Sequence, residues 1–222
     1  MSRLSIRTKI MLVFMLLFTV VLAALLVWFT LFAGKVAMDN LRNDLITSAE
    51  ITAGMIDPEA FALADTGDEA AFATIEEQLD LVFTSNPNAS QVYVMVPTAP
   101  GSDQYRIVVV LYYDEETGEA FVSGDEPYDA SDLPEIAEAL REPTTSYDVR
   151  EDDYGVWLSG YAPIKGDAGQ TVGIAAVDMT AEDVNYVRGQ ILIGSLIAFV
   201  LAYVAVFLAA YSLSGAITGP MR

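Results

Sequence analysis

Two stretches of the chain carry no charge at all: residues 10–34, which follow Lys9, and residues 189–221, between Arg188 and Arg222. Crossing a hydrocarbon core of roughly 30 Å takes about 20 helical residues, so the pattern predicts transmembrane helices at 10–34 and 189–213. Arg3, Arg7 and Lys9 would also suit a cleaved signal peptide. The apolar run exceeds the usual signal core of about 7–15 residues, however, and the region around Ala33 makes a poor cleavage site. The chain then divides into a terminus at 1–9, the two spans, a central segment at 35–188 and a tail at 214–222.

In the central segment the apolar period begins helical and ends extended. Leu41, Leu45, Ala49, Thr52 and Ile56 form one stripe that continues the first span as a helix. Asp57-Pro58 closes it, because a residue before proline resists the helical region. Thr66 and Glu69 have the spacing of a capping box for a second helix with the face Phe72, Ile75, Leu79 and Val82, which stops at Asn86-Pro87-Asn88. From there the period is two. Strands are predicted at 91–96, 105–113, 120–123, 146–150, 154–165 and 170–179, interrupted by a short helix that Ser131 can cap and that runs through Leu140. Gly166-Asp167-Ala168-Gly169 joins the last two strands as a hairpin. Helices followed by antiparallel strands in one unit make an α+β domain whose sheet packs on helices.

Charge sets the topology of this arrangement. All 31 acidic residues fall between Asp39 and Asp183, and the first 34 residues carry only Arg3, Arg7 and Lys9. The positive-inside rule places the N-terminus and Arg222 in the cytoplasm and residues 35–188 outside, in a multi-pass protein of the cytoplasmic membrane. Seven basic residues against 31 acidic ones leave the central segment at −24, a field that repels nucleic acid and anionic lipid.

With no cysteine and no histidine, the chain has no disulfide, no thiol nucleophile, no His-ligated zinc and no Ser-His-Asp triad. No cofactor or metal site is expected. Glu151-Asp152-Asp153 lacks the spacing of a calcium loop. No spaced acid/base motif supports a hydrolase, so this chain is not expected to be an enzyme. A phospho-accepting histidine or any kinase or cyclase output would lie beyond residue 222.

The run Tyr154-Gly155-Val156-Trp157-Leu158-Ser159-Gly160-Tyr161-Ala162-Pro163-Ile164, followed by Gly169-Gln170-Thr171-Val172-Gly173-Ile174-Ala175-Ala176-Val177-Asp178, resembles the Cache family of extracytoplasmic sensors. The resemblance implies a single-module, PAS-like fold with a long N-terminal helix on one sheet face and a small-molecule pocket on the other. Ser214 to Arg222, with Ile217-Thr218-Gly219-Pro220-Met221, resembles the opening of a HAMP linker.

Alternation along 154–165 puts Trp157, Ser159 and Tyr161 on one face, a mixture of rings and hydroxyls suited to enclosing and orienting a solute. The same side chains would also serve as plain core. Asp178 resembles the family's strand-end aspartate, which in some members holds a ligand amine, and it would serve equally as a cap for the helix starting near Thr180. Arg106, a cation inside a strand, can clamp a carboxylate with its planar fork or form a surface salt bridge. Tyr112, six residues along, is expected on its face. The expected partner is therefore a small organic solute bearing a carboxylate or an amine.

Small residues at Gly194, Ala198, Ala202, Ala205 and Ala209 on the second span point to a homodimer. A proline-free run from Ala181 to Tyr211 makes the second helix the expected route from the ligand to the HAMP-like linker. The competing function is a stand-alone membrane-anchored binding or interaction protein without signalling output.

Overall fold

The computed structural model describes residues 6–114, 119–124, 126–152 and 155–218. The turn at Thr117-Gly118, residues Asp153 and Tyr154, and residues 219–222 of the HAMP-like pattern lie outside the described residues. Two helices are long and apolar enough to cross a membrane by length and composition: α1 (Ile6–Met55) and α5 (Ala181–Thr218). The chain divides into two compact units, one of Met1–Ala37 with Tyr186–Arg222 and the other of Met38–Asn185.

In the first unit the large apolar side chains face outward, Leu16 and Leu31 at 71% exposure, as lipid contact requires. Thr19 donates to the carbonyl of Met15 at 2.7 Å and lies 3.3 Å from the Tyr203 hydroxyl. Ala198 and Ala202 line a cleft with Leu22, Leu25 and Phe29 of the same chain. Part of the small-residue stripe on the second span thus faces the chain's own first span.

The second unit is the α+β domain expected. Asp57 ends the long helix and caps α2 (Pro58–Ala64), accepting from the backbone N–H of Glu59 at 2.9 Å and of Ala60 at 3.3 Å. Sequence reading misses this seven-residue helix. α3 (Glu69–Ser85) is capped by Asp68, which accepts from the Ala71 N–H at 2.9 Å, and not by Thr66, whose hydroxyl turns back to the Leu63 carbonyl.

The strands are β1 (Gln91–Pro97), β2 (Gln104–Asp114), β3 (Glu119–Ser123), β4 (Glu126–Asp129), β5 (Thr144–Thr145), β6 (Arg150–Asp152), β7 (Gly155–Lys165) and β8 (Thr171–Thr180). They form one antiparallel sheet of order β3-β2-β1-β8-β7-β5, with β4 also on β2 and β6 also on β7. α4 (Pro134–Ala139) starts at its proline, and Ser131 does not cap it.

The two faces of the sheet differ. Val92, Val94, Val109, Leu111, Leu158, Ala162 and Val177 pack against Leu45, Ala49, Phe61, Ile75 and Leu79 of α1, α2 and α3. Tyr93, Met95, Ile107, Val110, Tyr161, Ile174 and Ala176 face Ile136 and Ala139 of α4. Two glycines let the helices come this close. A Cβ on Gly160 would lie 2.4 Å from the Leu45 carbonyl oxygen, and one on Gly173 would lie 2.5 Å from the Phe61 ring.

Candidate ligand-binding site

Antiparallel register brings side chains from distant parts of the chain into rows on the α4 face. Tyr112 pairs with Gln91, Gln91 with Asp178, and Asp178 with Ser159. Ser146 extends this row, donating its N–H to the Ser159 carbonyl at 2.8 Å and accepting the Ser159 N–H on its hydroxyl at 3.0 Å. The next row is Val110, Tyr93, Ala176 and Tyr161, and the one below it Ile107, Met95 and Ile174. A polar rim thus stands over an aromatic layer and an apolar floor, the division that orients a small solute while enclosing it. The rim is buried: Gln91 is 7% exposed, Ser159 6%, Asp178 3% and Ser146 3%.

Four of the six expected residues, Trp157, Ser159, Tyr161 and Asp178, gather at one end of this face. Tyr161, Ser159 and Trp157 line a cavity of about 320 Å³ together with Tyr128, Leu133, Ser146 and Arg150, and Asp178 lies beside Ser159 just outside that lining. That volume lies within the usual range for small-molecule sites. Trp157 also borders a larger, more open cleft with Gln91, Tyr112 and Thr180. Tyr112 shares the face but opens into that cleft, and its side chain is 36% exposed.

Arg106 lies elsewhere. The β1–β2 register jumps between Val94 and Met95, which pair with Val109 and Ile107, so Val108 is an inserted bulge residue. The bulge reverses the phase of alternation. Arg106 therefore emerges on the helix face while Tyr112 stays on the α4 face, and the expectation that the two share a face does not hold. Arg106 forms an ion pair with Asp65 at the end of α2 and donates to the Asp65 carbonyl at 3.0 Å.

Asp178 is not used as the helix cap. Thr180 takes that place, accepting from the Asp183 N–H at 3.2 Å and donating to the Asp183 carboxylate at 2.7 Å.

Sequence reading also passes over Gln91, Tyr128, Glu135, Ser146 and Arg150. Glu135 sits beside the buried Ile136 and Ala139 on α4, at the edge of that helix's apolar stripe, which is the signal that could have marked it. It is 0% exposed, its carboxylate oxygens accept no hydrogen bond from the described residues, and it forms an ion pair with Arg150, whose Nε stands 4.0 Å away. Arg150 donates from Nη1 to the Asp132 carbonyl at 2.6 Å.

Burial pushes the Tyr161 hydroxyl well above its ordinary 10.0, the Asp178 charge and the neighbouring Tyr128 add to the rise, the Ser159 hydrogen bond opposes it, and Glu135 adds a further increment. Tyr161 is thus a neutral donor throughout the range in which amines are charged. Because the unfolded tyrosine releases its proton first, this group makes the fold lose stability as pH rises above about 10. The melting temperature of the wild type should fall more steeply between about pH 9 and 11 than that of Tyr161→Phe. Parallel curves for the two proteins would show that Tyr161 ionises freely.

No protein-family model matches the sequence, and no curated protein matches it. Among solved structures, the chain is similar to the ligand-binding domain of the Campylobacter jejuni chemoreceptor Tlp3 in complex with L-norvaline. The TM-score is 0.49 at 16% identity, covering 75% of this chain and 62% of that one. It is similar to the E. coli DcuS sensor domain, with TM-score 0.46 at 13% identity over 67% of this chain and 95% of that one. A third is the extracellular domain of vpHK1S-Z8, described as a histidine kinase, with TM-score 0.48 at 14% identity over 70% of this chain. This chain spans 56% of the vpHK1S-Z8 structure and 62% of the Tlp3 structure. The three structures are thus a chemoreceptor ligand-binding domain, a sensor domain and the extracellular domain of a histidine kinase, and what they share with this chain is the fold.

Proposed function

We propose that residues 35–188 are the extracytoplasmic sensing domain of a transmembrane receptor, and that the ligand is a small amine-bearing solute held by Asp178, Ser159, Tyr161 and Trp157. Asp178 is the observation that carries this. A carboxylate 3% exposed, in one row with Gln91 and Ser159 and close enough to shift Tyr161, is suited to an ammonium group and repels a carboxylate. Of the two ligand classes that the sequence admits, the acid loses its clamp with the placement of Arg106. The amine keeps its partner. Output would pass from Asp178 through Thr180 into α5 and on to a HAMP-like linker, and a ligand drives such a change only as far as it prefers one state. Pairing of two copies through the second span, which shares Ala198 and Ala202 with the first, belongs to the same proposal.

The test uses the full chain in lipid nanodiscs, titrated with primary amines, amino acids and dicarboxylates while Trp157 emission and thermal melting are followed. An amine present at about 100 times its Kd should add about 2.7 kcal/mol, which is several degrees for a chain of this size. Arg106→Gln should leave the amine affinity unchanged. Selective stabilisation by dicarboxylates, lost in Arg106→Gln, would overturn the reading.

A further inference from the structure

Ser146, Arg150, Ser159 and Tyr161 all line the cavity, and the two chain segments that carry them also grip α1. Within 146–150 the residues divide. Ser146 and Arg150 line the cavity, whereas Val149 packs against the helix-side core that contains Leu45. Between them, the Tyr147 carbonyl accepts a hydrogen bond from Arg42 Nη2 on α1, and the Asp148 carboxylate stands 4.0 Å from the same nitrogen. Within β7 the division repeats. Ser159 and Tyr161 line the cavity, and Gly160 between them lies so close to α1 that an added Cβ would stand 2.4 Å from the Leu45 carbonyl oxygen.

Backbone and hydroxyl bonds between Ser146 and Ser159 hold the two segments together as one wall. Arg42 and Leu45 are three residues apart, so both grips fall within about one turn of α1. Arg42 is the only basic residue between Lys35 and Arg106, and an arginine just beyond an apolar span ordinarily extends its head into water. Here the guanidinium is turned to the protein instead: the side chain is 28% exposed, and Nε is buried with no acceptor among the described residues. Buried donors without acceptors are few in native structures and call for an explanation. Tyr147 is itself tied to α4, its hydroxyl donating to Glu138 at 2.9 Å.

We infer that α1, the first of the two membrane-length helices, is an output element of the receptor, with Arg42 as the latch through which the cavity wall moves it. This rests on the proposal that the cavity beside Tyr161 is the ligand site. α1 is one helix from Ile6 to Met55 and no proline interrupts it, so a displacement applied at residues 42–45 is carried along the helix. The route into α5 begins at Asp178 and Thr180, which stand outside the cavity lining, whereas the route into α1 begins at the lining itself. Arg42 is a positioning residue in this scheme and touches no ligand.

The experiment needs no ligand, and the chain has no cysteine of its own. Single cysteine substitutions are made in turn at 33–36 on α1 and at 186–189 on α5, in the full chain in lipid nanodiscs, and the rate of labelling by a membrane-impermeant maleimide is measured. Each series is repeated with Ser146→Phe, which fills the cavity from its wall, with Trp157→Ala, which widens it, and with either change combined with Arg42→Met, which keeps an apolar stem and removes the donors. A helix that slides or turns by about 1–2 Å, the usual size of such switching movements, redistributes labelling around one turn.

Both cavity changes should alter the labelling pattern at 33–36, and with Arg42→Met in place they should no longer alter it. Arg42→Met alone, in the otherwise unchanged domain, should also shift that pattern, and circular dichroism shows which variants keep their fold. An unchanged pattern at 33–36, whether or not 186–189 responds, would overturn this inference and leave the ligand site standing. A response at 33–36 that persists with Arg42→Met would overturn the role of the latch. Failure of the ligand-site proposal appears in the titrations with amines and not in this measurement, so the two are told apart.

Discussion

Gly160→Val should leave residues 38–185 unable to hold their fold, the largest stability effect expected of any single side chain in the domain. Gly160 pairs with Val177 and Thr145, and its missing Cβ points toward α1. That Cβ would stand 2.4 Å from the Leu45 carbonyl oxygen and 2.5 Å from its carbon, both backbone atoms that no rotamer change can move. The strain is relieved only if α1 lifts off the sheet, which opens the contact of Leu45 and Ala49 with Leu158 and Ala162. Overpacking by single methylenes already costs about 1–3 kcal/mol. A branched side chain driven into backbone should cost more than about 4 kcal/mol, a large share of the 5–15 kcal/mol that holds a domain together.

Thermal melting of the full chain, followed by circular dichroism, measures the effect. Gly54→Ala on the same helix is the control. Nothing lies within 4 Å of its added Cβ, and it should stabilise by about 1 kcal/mol through helix propensity. A Gly160→Val protein melting with the wild type would mean that α1 does not rest on β7. Ser159 and Tyr161 flank Gly160 on the opposite face, so the tight seat of α1 also holds this wall of the cavity in place.

Long periodic elements were legible in the sequence because burial on one face dictates their pattern. In the stripe Leu41, Leu45, Ala49, Thr52 and Ile56 all but the partly buried Leu41 are buried, and in Phe72, Ile75, Leu79 and Val82 on α3 all but the partly buried Phe72. Short elements were not. α2 is two turns begun by Asp57-Pro58, which read only as a stop. β4 contains Pro127 and lies on an edge, where a strand tolerates proline but leaves no alternation to recognise.

The site was half legible for a related reason. Trp157, Ser159 and Tyr161 share one regular strand, and alternation alone brings them together. Placing Arg106 and Tyr112 needed the register of β2 against β1. One inserted residue at Val108 exchanges the faces on either side of it, and no local feature of Ile107-Val108-Val109-Val110 tells which valine is the insertion. Gln91 is brought into the row of Asp178 and Ser159 by strand pairing alone.

Asp178→Ala should abolish binding of an amine ligand. The side chain is 3% exposed and lies in one row of the sheet between Gln91 and Ser159, of which Ser159 lines the cavity. Removing one partner of a buried ion pair costs about 3–5 kcal/mol, because the other charge is left in a dry site, and at 1.4 kcal/mol per decade that is about a hundred- to a few-thousandfold in Kd.

Ser90 donates to the Asp178 main-chain oxygen at 2.8 Å, and Thr180 with Asp183 caps α5. Asp178→Asn separates charge from hydrogen bonding: it keeps an acceptor of similar shape and should still lose most of the affinity if the ligand is a cation. Calorimetry and melting curves run in parallel on both variants separate binding from folding. A fall in melting temperature that tracks the loss of affinity would make Asp178 a structural residue of the β8 end. Full affinity in Asp178→Asn would mean that the bound group carries no positive charge.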